Sequence, residues 1–68
     1  MTPEQFTQAQ VTLGFDNADM GKELGLSERM VRYMRTGEKK VSERTSKRMK
    51  EAIKRKIDDL KVLQRFLK

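Results

Sequence analysis

Gly14, Gly25 and Gly37 divide the first forty residues of this 68-residue chain into short segments, and a capping residue opens each segment that follows. Asp16 or Asn17, Ser27 and Ser42 carry short polar side chains that can accept hydrogen bonds from the free N–H groups of a helix start. Thr2-Pro3-Glu4-Gln5 begins the first segment in the same way, with Thr2 as cap, Pro3 at the first helical position and Gln5 in the capping-box place. From Ser42 to Lys68 there is no glycine and no proline. Three short helices and one long stretch, helical throughout or broken once, are what such punctuation allows.

Apolar spacing agrees. Phe6, Ala9 and Leu13 form a helical stripe in the first segment, with Val11 at its edge. The second runs from Asn17 to Leu24, where Met20 and Leu24 share a face with Gly21 beside them. The third runs from Glu28 to about Arg35 and places Met30, Val31 and Met34 inward; Leu26, just before it, is expected to be buried. Val41 anchors the loop after Gly37. In the last segment the apolar set is Met49, Ala52, Ile53, Ile57, Leu60, Leu63 and Leu67, with Val62 and Phe66 beside it, at the spacing of one amphipathic helix or two that meet near Lys54-Arg55-Lys56. There are no strand signals and no repeats. The expectation is an all-α fold, a small helix-turn-helix domain of four to five helices with a long C-terminal helix.

Composition narrows the function. Cysteine and histidine are both absent, which removes disulfides, thiolate metal sites, the usual zinc ligand and the usual base near neutral pH. No carboxylates pair in an apolar setting, and Asp58 and Asp59, adjacent in sequence, point to different helix faces. An enzyme is not expected, nor a cofactor or a small-molecule effector. Residues 1–27 carry one cation and four anions, whereas residues 28–68 carry fifteen cations and six anions. A field so polarised favours a polyanionic partner over a merely solvated surface. No apolar run is long enough to span a bilayer and the N-terminus resembles no secretory leader, so a cytoplasmic protein without a membrane partner is expected.

The second and third segments satisfy the register of a helix-turn-helix. Counted from Asn17, the fourth place is apolar Met20, the fifth is the small residue Gly21 and the eighth is Leu24. Gly25 then falls at the ninth place, where the turn requires positive φ. Leu26, Val31 and Met34 take the apolar tenth, fifteenth and eighteenth places.

Gly25-Leu26-Ser27-Glu28-Arg29-Met30-Val31-Arg32 resembles the turn and recognition helix of Cro/C1-type (XRE) phage regulators. Thr2-Pro3-Glu4-Gln5-Phe6 is similar to the start of their first helix, and Thr36-Gly37-Glu38-Lys39-Lys40-Val41 to the loop after the recognition helix. The likeness covers about residues 2–53, and the texture around Leu24–Tyr33 is similar to anti-CRISPR-associated repressors. It departs from the family where Met34 and Arg35 replace an aromatic and an acid, where Asn17 replaces glutamine, and where Gly21 replaces alanine at a helix cost of about 1 kcal/mol. The resemblance implies a lambda repressor-like domain and a repressor of a phage or mobile-element operon. An anti-CRISPR operon and the protein's own gene are the targets that the narrower likeness suggests.

On this reading double-stranded DNA is the partner and the recognition helix lies in its major groove. Glu28, Arg29, Arg32 and Tyr33 are the base-reading candidates. Arg29 and Arg32 can fork onto guanine O6 and N7. Glu28 can accept from cytosine N4 or simply favour the helix N-terminus. Tyr33 has a thymine methyl, a phosphate or packing open to it. Asn17, Ser27, Arg35, Lys39 and Lys40 are the phosphate candidates. Residues 1–53 form the DNA-binding domain in this division, and 54–68 a C-terminal helix for dimerisation through Ile57, Leu60, Leu63 and Leu67, with Lys56 interrupting the seam. A homodimer would meet an inverted repeat. Two alternatives remain: an antitoxin-like DNA-binding protein whose C-terminal helix binds a protein partner, and a general nucleic-acid binder, which would have no need of an acid at position 28.

Overall fold

The computed structural model describes residues 1–67, and all of its regular structure is helical. Helix α1 spans Pro3–Leu13, α2 Asn17–Leu24, α3 Glu28–Thr36 and α4 Glu43–Phe66. Among the described residues there is no strand, and no helix is long and apolar enough to cross a membrane. The chain is a small all-α domain of four helices, the last of them long. Helix α4 passes through Lys54-Arg55-Lys56 without a break, so the single-helix alternative is the one realised; Lys68 lies outside the described residues.

Each helix starts where a side chain can satisfy its free N–H groups. The Thr2 hydroxyl accepts from the Gln5 amide at 3.1 Å, and Gln5 Oε1 accepts from the Thr2 amide at 2.9 Å, closing the capping box. Asp16, not Asn17, caps α2 by accepting from the Asp19 amide at 2.7 Å. Ser27 and Ser42 do the same for Met30 and Thr45, each at 3.1 Å. Gly14, Gly25 and Gly37 end α1, α2 and α3.

The core gathers Phe6 and Leu13 of α1, Met20 and Leu24 of α2, Val31 and Met34 of α3, and Met49 and Ala52 of α4. Several positions differ from the sequence pattern, among them Met30 of α3, which is half-buried at the rim of the core rather than buried in it. On α1 the buried face turns toward Gln10, leaving Ala9 half-buried and Val11 exposed. Leu26 is half-buried rather than buried, because it belongs to a turn at the surface. Phe15, between α1 and α2, also packs against the core. On α4 burial stops at Ala52 and half-buried Ile53; from Lys54 to Leu67 every residue is exposed.

The pairing of α2 with α3 is set at Gly21. The Leu26 amide donates to the Gly21 carbonyl at 2.8 Å, which folds the turn back onto α2. A Cβ on residue 21 would lie 2.6 Å from the Leu26 carbonyl oxygen, closer than side chains tolerate. Gly25, at φ +69°, makes the turn itself. Two contacts from α4 hold this corner: Arg48 Nη1 donates to the Leu24 carbonyl at 2.9 Å, and Arg55 pairs with Glu23. The Gly21 contact sets a clash against a helix preference. Alanine would favour α2 by about 1 kcal/mol, yet overpacking costs roughly 1–3 kcal/mol, and the atom in the way is backbone. Gly21→Ala is therefore expected to lower Tm by about 5 °C or more at matched protein concentration. An unchanged or raised Tm in a circular dichroism melt would show that the turn moves aside freely.

Candidate nucleic-acid interface

Helix α3 buries one side and presents the other. Residues advance 100° per step around a helix. With Val31 and Met34 directed into the core, Glu28, Arg29 and Arg32 fall on the opposite arc, and all three are exposed. Tyr33 is half-buried at the edge of that arc. The Arg29 guanidinium carbon lies 5.9 Å from the centre of the Tyr33 ring, one helical turn away. That separation suits a weak cation–π contact, so the tyrosine helps to fix the arginine's direction. Arg32 forms no ion pair with Glu28 among the described residues, and its guanidinium fork is unengaged. Glu28 occupies the first turn, where its charge also suits the helix dipole.

The phosphate candidates fall into two groups. Ser27, Lys39 and Lys40 are exposed at the two ends of α3. The Ser27 hydroxyl is already used as the helix cap. Lys39 is tied to the helix by its own amide, which donates to the Tyr33 carbonyl at 3.2 Å. Met1, Pro3, Gly37 and Val41 surround the two lysines.

Asn17 and Arg35 form the second group, and they meet each other. Arg35 Nη1 donates to Asn17 Oδ1 at 3.0 Å, and Gln10 Nε2 donates to the same oxygen at 2.9 Å. Gln10 also donates to the Phe15 carbonyl at 3.2 Å. Arg35 is thus half-buried and fastened to the start of α2 instead of extending freely with Lys39 and Lys40. The shared oxygen ties α1, α2 and α3 together at one corner. Gln10 is only 2% exposed, so its amide N–H groups depend on these acceptors.

Sequence reasoning missed three residues here. Gln10 lies four residues from Phe6 and three from Leu13, so its spacing alone marked it as inward, but its polarity argued for the surface. Arg44 and Arg48 line a shallow cleft with Leu24, Gly25 and Leu26, beside the turn that leads into α3. In the sequence they are two of the many cations of a basic helix, and only the fold distinguishes them. The dimerisation candidates are all exposed: Ile57, Leu60 and Leu63 on the distal half of α4, and Leu67 at the cap just past its end. Ile57 and Leu60 also line an apolar groove of about 440 Å³ with Ala9, Thr12, Leu13 and Ile53.

Removing the shared acceptor should uncouple this corner. Asn17→Ala is expected to destabilise the domain by about 1–3 kcal/mol, the cost of leaving a buried donor without a partner. A urea midpoint equal to that of the wild type would mean that Gln10 is satisfied elsewhere. Comparison of the chain with protein-family models, with curated proteins and with solved structures finds no match.

Proposed function

We propose that this chain is a sequence-specific DNA-binding repressor that grips an inverted-repeat operator as a homodimer. The observation that carries the reading is the free outer face of α3. Two arginines and a glutamate stand exposed on it, next to a tyrosine, on a helix whose other side is locked into the core. A helix presented in this way fits the major groove.

Base reading then falls to Arg29 and Arg32 on guanine, to Glu28 on cytosine N4, and to Tyr33 through a thymine methyl beside Arg29. Backbone positioning falls to Ser27, Lys39 and Lys40 at the ends of α3, and to Arg44 beside the turn. Arg35 adds a contact from the α2 corner, with Asn17 holding it in place and offering its own amide N–H. The acid at position 28 separates this reading from a purely electrostatic binder, because a carboxylate facing phosphates only weakens general affinity. Repression would be steric: the bound dimer occupies the promoter. The resemblance to Cro/C1-type regulators extends the proposal to a phage or mobile-element operon, including an anti-CRISPR operon together with the protein's own gene.

Selection of randomised duplex DNA by the purified protein at physiological salt tests the proposal, and an enriched inverted repeat is expected. Within that operator, Arg32→Ala should cost roughly 1–3 kcal/mol, about 5- to 150-fold, at one base pair per half-site and leave affinity for unrelated duplexes nearly unchanged. Uniform weakening on every sequence would demote Arg32 to a phosphate contact. Salt-sensitive binding with no enriched sequence would overturn specific recognition altogether.

A further inference from the structure

The distal half of α4 carries an apolar stripe that the rest of the described chain leaves largely uncovered. Leu60 is 52% exposed, Leu63 50% and Leu67 71%, in a helix that has already left the body of the domain. The stripe has an internal symmetry. Taken outward from Leu60, apolar residues occur three and seven positions away in both directions: Ile57 and Ile53 on one side, Leu63 and Leu67 on the other. At 100° per residue these five positions, with Lys56 and Gln64, fall within an arc of about 120°. A two-fold interface makes each residue i meet j while j meets i. For antiparallel helices, such an interface needs a stripe that reads alike in both directions from its centre.

We infer that two copies of this chain pair through α4 in antiparallel register, with Leu60 on the two-fold axis. Ile57 shares a layer with the partner's Leu63, and Ile53 shares one with the partner's Leu67. Lys56, which spoils a simple heptad seam, faces the partner's Gln64, whose amide oxygen can accept from the ammonium group. The parallel alternative would set Lys56 against its own copy in the same layer, two like charges in an apolar seam. Antiparallel pairing also opposes the two helix dipoles favourably.

The groove beside the stripe fits the same arrangement. It is lined by Ala9, Thr12 and Leu13 of α1 and by Ile53, Ile57 and Leu60 of α4, with Gln5, Gln8 and Lys56 at its polar rim. These α4 residues are the layers that the partner's Leu63 and Leu67 reach, so the end of one α4 covers the α1–α4 groove of the other. The register carries a consequence that rests on the DNA-binding reading. Met49, in the core of the body, lies eleven residues from Leu60, about 16 Å along the helix. The two bodies then stand about 33 Å apart along the pair, close to the ~34 Å between successive major-groove faces of a duplex.

The chain has no cysteine, so engineered thiols report the register without background. Ile57→Cys and Leu63→Cys would be oxidised separately and as a mixture, with one made heavier by a tag, all without DNA. Antiparallel pairing predicts that the mixture yields mainly the mixed disulfide and that each variant alone yields little. Strong cross-linking of Ile57→Cys to itself would establish the parallel register and overturn the inference. So would a wild type that sediments as a monomer at micromolar concentration. Gln64→Glu gives a reading free of thiols. It should tighten the dimer roughly two- to fivefold by adding an ion pair with Lys56, whereas the parallel register would set two glutamates in one layer and weaken it. Because none of these arms contains DNA, the mixed disulfide can form even if no operator is found, and an operator can be enriched even if the disulfide pattern is parallel.

Discussion

The direction of α3 depends on how closely the turn before it can approach α2. Gly21 offers only backbone there, and the Leu26 amide bonds directly to its carbonyl. A side chain at position 21 would push the turn outward, and α3 would pivot with it. Val31 and Met34 would then lose their seating against Met20 and Leu24, and the outer face would rotate. The same absence of a Cβ that weakens α2 as a helix therefore fixes the geometry of the helix that follows it. Arg48 reinforces the corner by capping the last carbonyl of α2 from across the core.

A second constraint acts from the other side. One oxygen, Asn17 Oδ1, accepts from both Gln10 and Arg35 and so joins three helices at one corner. In a domain this small, a few directional polar contacts do what additional buried area would do in a larger one. Arg35 consequently has two duties. It braces the α2–α3 corner, and it leaves a cation beside the start of α2, where Asp16 and Asp19 already compensate the helix dipole.

Most of this architecture was legible because local signals and the apolar period agreed. Thr2, Ser27 and Ser42 marked three helix starts, and the register from Asn17 to Met34 singled out Gly21 and Gly25 for the roles they hold. What escaped were features that neither the apolar period nor the capping signals encode. Gln10 is buried because Phe15 and Asn17 supply acceptors, which no period reveals. Arg35 looked like a free cation because its partner is eighteen residues away. Leu26 looked fully buried because an apolar residue in a turn has the same pattern as one in a core. Among the exposed residues, the α3 face could be read from helix geometry alone. The cations around it could not, since a basic helix distributes charge in every direction until the fold selects one side.

The two halves of α4 meet different physical demands, and this explains their different compositions. Up to Ile53 the helix is a wall of the core, and Thr45, Met49 and Ala52 are buried in it. Beyond Ile53 the described residues touch α4 only through the α1 groove at Ile57 and Leu60 and the Arg55–Glu23 pair, yet Ile57, Leu60, Leu63 and Leu67 keep the apolar phase going and stay exposed. A helix with only solvation to satisfy would gain nothing from apolar residues in phase over almost three turns, and exposed apolar stripes invite association. The symmetry of the stripe about Leu60 adds what apolar character alone does not: a reason for the second surface to be an identical copy. Lys56 fits that reason, because in the seam it disfavours the parallel pairing that would bring it against itself. A thin core, a helix that outruns it and a stripe that reads alike in both directions fit one solution under the proposed pairing, in which a second copy would supply further buried area.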